Sequence, residues 1–270
     1  MNDAAVGFQC PSCLAEGKKA TRQGRTAYGG KRSGDPQATT RILIGLNVAV
    51  WLAIALTGRG GSRLIDILAL RPEGYCLIGR NAYDTGRAVC SAEQGSFMAG
   101  VSDGAYWQLV TNMFTHVGLL HLAANMFALY LFGPQMEQAL GRVRFLALYL
   151  VSGLVGSAVV YWLSPEFQST LGASGAVFGL LGGFLVMTLK LRGDVKPILI
   201  LLAINAVITF TVPRISWEGH LGGLVGGAAV AALLVYAPRG ARRSLVQGVG
   251  IGALVVVVAV AVVLRTAVLT

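Results

Sequence analysis

Long apolar runs recur along the chain at spacings that leave little room for polar faces. A bilayer core is crossed by about 20 mainly apolar residues at 1.5 Å rise each. By that measure the pattern predicts seven spans, at approximately 41–57, 120–140, 145–163, 174–190, 196–212, 218–237 and 246–265. The last, "GIGALVVVVAVAVVL", is the plainest. The first and fifth are shorter or polar at one end. Before the first span lies a polar, glycine-rich tail whose end, "TAYGGKRSGDPQATT", reads as a flexible linker. Between the first two spans, residues from Gly58 to about Tyr106 form a connection too long for an ordinary loop. Its apolar stretches "LIDILAL" and "FMAGVSDGAYWQLVTNMFTH" suit a structure lying in the membrane interface. The other connections are short, so the second to sixth spans should form a compact bundle, with the seventh packed outside it.

Composition agrees with this reading. Hydrophobic residues make up 54% of the chain and charged residues only 13%, with mean hydropathy +0.65. A soluble domain carries roughly twice that share of charge. The formal net charge of +10 would suit nucleic acid, but its distribution argues otherwise. With the N-terminus in the cytoplasm, only Arg59, Arg63, Arg71, Arg80, Arg87, Arg214 and Arg265 of the 22 Lys and Arg fall outside, five of them in the one long loop. The excess therefore orients a multi-pass protein of the cell membrane, and no nucleic-acid partner is expected. No secretory signal is visible in the first forty residues.

The four cysteines divide in the same way. Cys76 and Cys90 fall in the outer loop, free to oxidise, and closing a loop of that length contributes roughly 3 kcal/mol in the entropy model. Cys10 and Cys13 form "CPSC" in the tail, which reads as half of a four-ligand zinc site. Such a half-site is vestigial, is completed by another chain, or continues a module whose start lies upstream of Met1. A bare reduced pair is an equal reading, so no metal is assigned.

Polar groups at membrane depth mark function by default. All three histidines, His116, His121 and His220, fall at the outer ends of predicted spans. In "HLAAN", His121 and Asn125 are one helical turn apart on one face, where they could serve as interhelical hydrogen-bond glue or could jointly contact one small group. In "TLGASGAVFGLLGGFLV", Ser174 opens a span, a position where serine commonly caps a helix. The neighbouring Gly175 and Gly179 form a small-residue face, matched on the sixth span by Gly223 and Gly227 after His220. Two such strips allow close helix approach, which an imidazole needs to reach a serine hydroxyl. Three spans running in the same direction place His121, Ser174 and His220 at one depth.

"GASG", "GHLGGLVGG" and "HLAAN", in the patterns G-x-S-G, H-x-x-G-x-x-x-G and H-x-x-x-N, resemble the rhomboid family of intramembrane serine proteases. The resemblance covers about 41–237. It implies an all-α membrane bundle with a six-helix core, to which residues 238–270 add a linker and a seventh helix, and residues 1–40 a cytoplasmic tail. It implies a Ser174–His220 dyad without aspartate, and His121 and Asn125 as oxyanion donors beside the Ser174 N–H. It implies no cofactor, a lipid bilayer as surroundings, and a transmembrane protein as substrate, cut near the outer leaflet. His116, Glu137 and Gly141-Arg142 fit as structural contacts. Two departures stand out: Trp107-Gln108 where the family commonly has Trp-Arg, and Phe178 where many members carry tyrosine. The alternatives are a catalytically inactive rhomboid-like escort for membrane proteins, and a small transporter relaying protons through the histidines. A transporter needs polar groups spread through the membrane, whereas these cluster at one face.

Overall fold

The computed structural model describes residues 2–4, 7–20, 24–79, 81–213 and 215–270, so Arg22, Arg80 and Arg214 of the charge count lie outside the described residues. Seven long helices carry the fold: α1 (Ala38–Leu56), α2 (Leu119–Leu140), α3 (Arg142–Leu163), α4 (Ser174–Lys190), α5 (Lys196–Thr211), α6 (Trp217–Val235) and α7 (Arg243–Leu269). Each coincides with a predicted span. Four of them (α1, α3, α6 and α7) are long and apolar enough to cross a membrane alone, and α2 continues a short helical stretch, Gln108–Phe114, across a 91° bend. With 17 and 16 residues, α4 and α5 reach only about 24–26 Å, less than the bilayer core of about 30 Å.

The centre is built by α3, α4 and α6. Phe145, Tyr149, Tyr161, Leu180 and Leu234 are fully buried there. The approach of α4 to α6 is set by glycine. A Cβ on Gly223 would overlap the Gly175 carbonyl, and one on Gly227 the Gly179 carbonyl, so the two backbones touch directly. The α2–α3 turn is a single residue, Gly141, at φ 81°, a left-handed conformation that favours glycine. Its N–H closes α2 on Glu137 O at 2.7 Å, and its carbonyl receives the Phe145 N–H at 3.0 Å to open α3. Glu137 itself is buried and accepts from Arg142 Nε at 3.3 Å, so both contacts are structural. Along the outside, α7 packs on α3, where Trp162 Nε1 donates to Ala261 O and Tyr161 shares a hydrogen bond with Thr266. Of α5, only Thr209 is buried.

Residues 57–118 fold into a compact cap at the Ser174 end of the bundle. It contains a three-stranded antiparallel sheet with Tyr75–Ile78 at its centre, flanked by Asn81–Tyr83 and Ser96–Met98. These strands were not expected from the sequence. Cys76 and Cys90 form a disulfide that ties the central strand to a short helix, Arg87–Ala92. Leu70 pairs with Thr170 through two backbone hydrogen bonds, which joins the cap to the segment leading into Ser174. Gln108 stands where the resemblance leads one to expect the arginine of a Trp-Arg pair. Buried to 1% exposure, it accepts from the Arg71 N–H and donates to Ala99 O, while Trp107 Nε1 donates to Ile67 O.

The tail overturns one expectation. The expected linker, residues 26–40, is not free along its length: 24–32 form a hairpin docked under the opposite end of the bundle, and 38–40 are already the first turn of α1. Tyr28 is buried, Gly30 lies so close to Leu140 that a Cβ would overlap its carbonyl, and Arg243 and Gln247 donate to Ala27 O and Tyr28 O. Glycine composition suggested freedom, but Gly29 at φ 88° and Gly30 serve to make a tight, close-fitting turn. Farther out, Cys10 and Cys13 are exposed and free at the start of a helix, Pro11–Ala20. Among the described residues, no group of three or more His, Cys, Asp or Glu could hold a metal.

Candidate active site

Ser174 is the first residue of α4 and half-buried. The N-cap position is occupied by Ala173, and no side chain caps this helix, so the capping explanation for the serine does not apply. The turn before it is pinned from two sides. The Gly172 N–H donates to Asn112 O at 2.9 Å, and the Ala173 N–H donates to His116 Nε2 at 3.3 Å. Gly172 has φ 127°, and a Cβ on it would lie 2.8 Å from His121 Nε2. Only glycine satisfies both the backbone angle and the imidazole above it. The first N–H groups of α4 have no intrahelical acceptor, so the Ser174 end of the helix presents donors beside a hydroxyl.

His220 reaches this turn from α6. Its ring stacks on Phe178, one turn beyond Ser174, with centroids 4.1 Å apart and planes 11° from parallel. The glycine contacts on either side, Gly219 O near Gly175 and Gly223 against the Gly175 carbonyl, bring α6 this close. On its other edge, His220 Nδ1 lies 2.8 Å from Thr209 Oγ1. That hydroxyl has one proton, and it donates to Asn205 O at 2.7 Å. It must therefore accept from Nδ1–H, which assigns the tautomer and leaves Nε2 with its lone pair. Neither Nε2 nor the Ser174 hydroxyl carries a hydrogen bond among the described residues. The nearest acid in sequence, Glu218, is engaged by Ser216 at 2.7 Å and does not orient the ring.

His121 and Asn125 stand on the first turns of α2. Asn125 is buried, and its Nδ2 donates to His121 O within its own helix at 2.9 Å, not to a neighbouring helix as glue. One Nδ2 hydrogen stays available. His116 is fully buried in the connection before α2, with its ring 5.0 Å from that of His121. The four sequence-predicted residues thus come from three helices, all at one end of the bundle around the first turn of α4. Such a set can deprotonate a hydroxyl through an imidazole and hold developing negative charge with backbone and side-chain donors.

One participant was not foreseen, and the part of another was read only in outline. Thr209 is an ordinary residue in an apolar helix, and the only sequence signal for it is its polar i,i+4 spacing from Asn205. His116 was placed as a structural contact, and its part in fixing the turn before Ser174 depends on a bond to a backbone 57 residues away.

Residues 103–237 match the model of the Rhomboid domain. The rhomboid protein YdcA of Bacillus subtilis is 39% identical over 141 residues, which cover 50% of this chain and 71% of that one. The rhomboid protease GluP of the same organism is 39% identical over 139 residues, 50% of this chain and 27% of that protein. RHOMBOID-like protein 5 of Arabidopsis thaliana is 33% identical over 147 residues, 52% of this chain and 47% of its own length. For the latter two, the chain spans less than half of the relative.

Proposed function

The chain belongs to the rhomboid family, and we propose that it is an intramembrane serine endopeptidase that cleaves transmembrane segments through a Ser174–His220 dyad. His220 Nε2 takes the Ser174 proton, and the alkoxide attacks a peptide carbonyl. The resulting oxyanion is held by the Ser174 N–H, His121 and Asn125 Nδ2. On collapse the imidazolium returns its proton to the departing amine, leaving an acyl-serine. Water, deprotonated by the same nitrogen, then releases the carboxylate and restores the hydroxyl. The observation that carries this reading is the His220 ring itself, clamped face-on by Phe178 and edge-on by Thr209 over the first turn after Ser174. Stacking and a hydroxyl do here what the carboxylate does in a triad.

The short α4 supports a site sunk below the membrane surface. If its inner end is level with its neighbours, Ser174 lies several ångströms beneath the outer boundary, reached by water from that side. A helix has its backbone carbonyls satisfied internally, so a substrate segment must unwind before Ser174 can attack it. The disulfide at this end of the molecule supports an oxidising compartment there, and with it a cytoplasmic N-terminus in the plasma membrane. The lack of a direct Ser174–His220 hydrogen bond is the one observation favouring a binding-only escort. Catalytic bonds that tighten only with substrate account for it.

Labelling of the membrane-inserted protein with a fluorophosphonate probe tests the proposal. Labelling of the wild type, lost in both Ser174→Ala and His220→Ala together with cleavage of a model transmembrane substrate, is expected. Undiminished cleavage by Ser174→Ala ends the reading.

A further inference from the structure

At the end of the bundle opposite Ser174, the docked hairpin, the α2–α3 turn and the start of α7 line an open-sided cavity of about 710 Å³. Arg25, Lys31, Arg32, Arg142 and Arg144 line it, and no Asp or Glu does. Of these five cations, only Arg142 has a carboxylate partner, Glu137, among the described residues. Arg144 and Arg243 converge over Gly29, since a Cβ built there would lie 3.7 Å from Arg144 Nη2 and 3.3 Å from Arg243 Cδ. Arg243 Nε is buried there without a hydrogen-bond partner. Both α3 and α7 begin at this place, with no acidic residue in the first turn and no side-chain cap, so their positive dipole ends add to the field. Like charges gathered at a part-buried site are costly unless an anion joins them.

The other walls of the cavity are apolar. Val143, Ala147, Leu234 and Ile251 line it. Ala147 lies five residues below Arg142, and Ile251 eight below Arg243, depths of about 7 and 12 Å along their helices. A cationic rim at the ends of membrane helices, above an apolar cleft, matches one molecule in both of its parts. We infer that this cavity binds a single anionic glycerophospholipid, its phosphate among Arg25, Lys31, Arg32 and Arg144 and its acyl chains along α3 and α7. Basic pockets between helices at the cytoplasmic side of a membrane are suited to such headgroups. A free oxyanion would use the rim but not the cleft.

The test uses the full chain in neutral detergent, with native mass spectrometry and thermal unfolding as readouts. Neither depends on proteolysis, and Ser174→Ala protein serves equally well. One dioleoyl phosphatidylglycerol is expected to be retained and to raise the unfolding midpoint, while dioleoyl phosphatidylcholine does neither. Arg25→Gln/Arg144→Gln should weaken retention roughly tenfold or more. Because Arg144 also bonds Gln247 and Ser244, Lys31→Gln/Arg32→Gln provides a second pair whose side chains hold no other element, with the same expected loss. Arg192→Gln/Lys196→Gln removes two cations at the same end of the bundle but outside the cavity and should change nothing. Equal loss in that control pair, equal retention of phosphatidylcholine, or a full thermal shift with inorganic phosphate alone would each overturn the assignment.

Discussion

At the scale of single residues, the orientation of one imidazole depends on a threonine. Thr209→Val keeps the shape of the side chain and removes the acceptor for His220 Nδ1–H. A hydrogen bond of this kind contributes about 1 kcal/mol, so kcat should fall roughly five- to tenfold with KM unchanged, and Thr209→Ser should restore it. A merely structural role would move stability, not the kcat to KM split. For His121→Ala and Asn125→Ala, each removing one proposed donor to the oxyanion, cleavage assays should register a loss of about 10²–10³ in kcat. The shared placement of the serine and the histidines at one end of the bundle was legible because histidines are rare in this chain and all three fall at the outer ends of predicted spans. Thr209 was not, since a hydroxyl bonded to its own helix costs a membrane helix little and so leaves no mark in the sequence. Gln108 was flagged as a departure, but which backbone groups it joins could be read only from the fold.

At the scale of elements, the contact between α4 and α6 is backbone against backbone. Gly227→Ala would drive a methyl into the Gly179 carbonyl. The expected cost is about 1–3 kcal/mol of stability, seen as a lower unfolding midpoint, with activity lost as α6 carries His220 away from α4. Gly252→Ala in α7 meets nothing within 4 Å and serves as the control, with an unchanged or slightly higher midpoint. All seven helices were legible because an apolar run of this length has one stable solution in a bilayer. Their ends shifted by a few residues, as at α1, which begins at Ala38 and not near 41. The strands of the cap were hidden for the converse reason. With three or four residues each, they are too short to show alternation, and the disulfide and Gln108 brace the segments beside them.

At the scale of the whole molecule, the two ends differ in chemistry. The Ser174 end carries the disulfide-tied cap, and the other end carries a cluster of basic residues of which Arg25, Lys31, Arg32 and Arg144 have no carboxylate partner among the described residues. Removing the covalent tie should loosen the cap without unfolding the bundle. Cys76→Ser/Cys90→Ser, or reductant added to the wild type, should raise proteolytic sensitivity within residues 75–98 while the helices persist by circular dichroism. Typical losses for a native disulfide are about 2–4 kcal/mol. Intact resistance of the cap under reduction would contradict this. The multi-pass character was legible from the apolar runs, whereas the docked tail was not, because its fit depends on a turn more than a hundred residues away.

That docking has a consequence for how the chain comes to its final form. Residues 24–32 are made well before their partners Arg243 and Gln247, which follow more than two hundred residues later. Contacts of such sequence separation form late, so the hairpin must wait, unpaired, until every helix has been inserted. A segment made before the seven long helices is then the last to settle, and it latches a finished bundle.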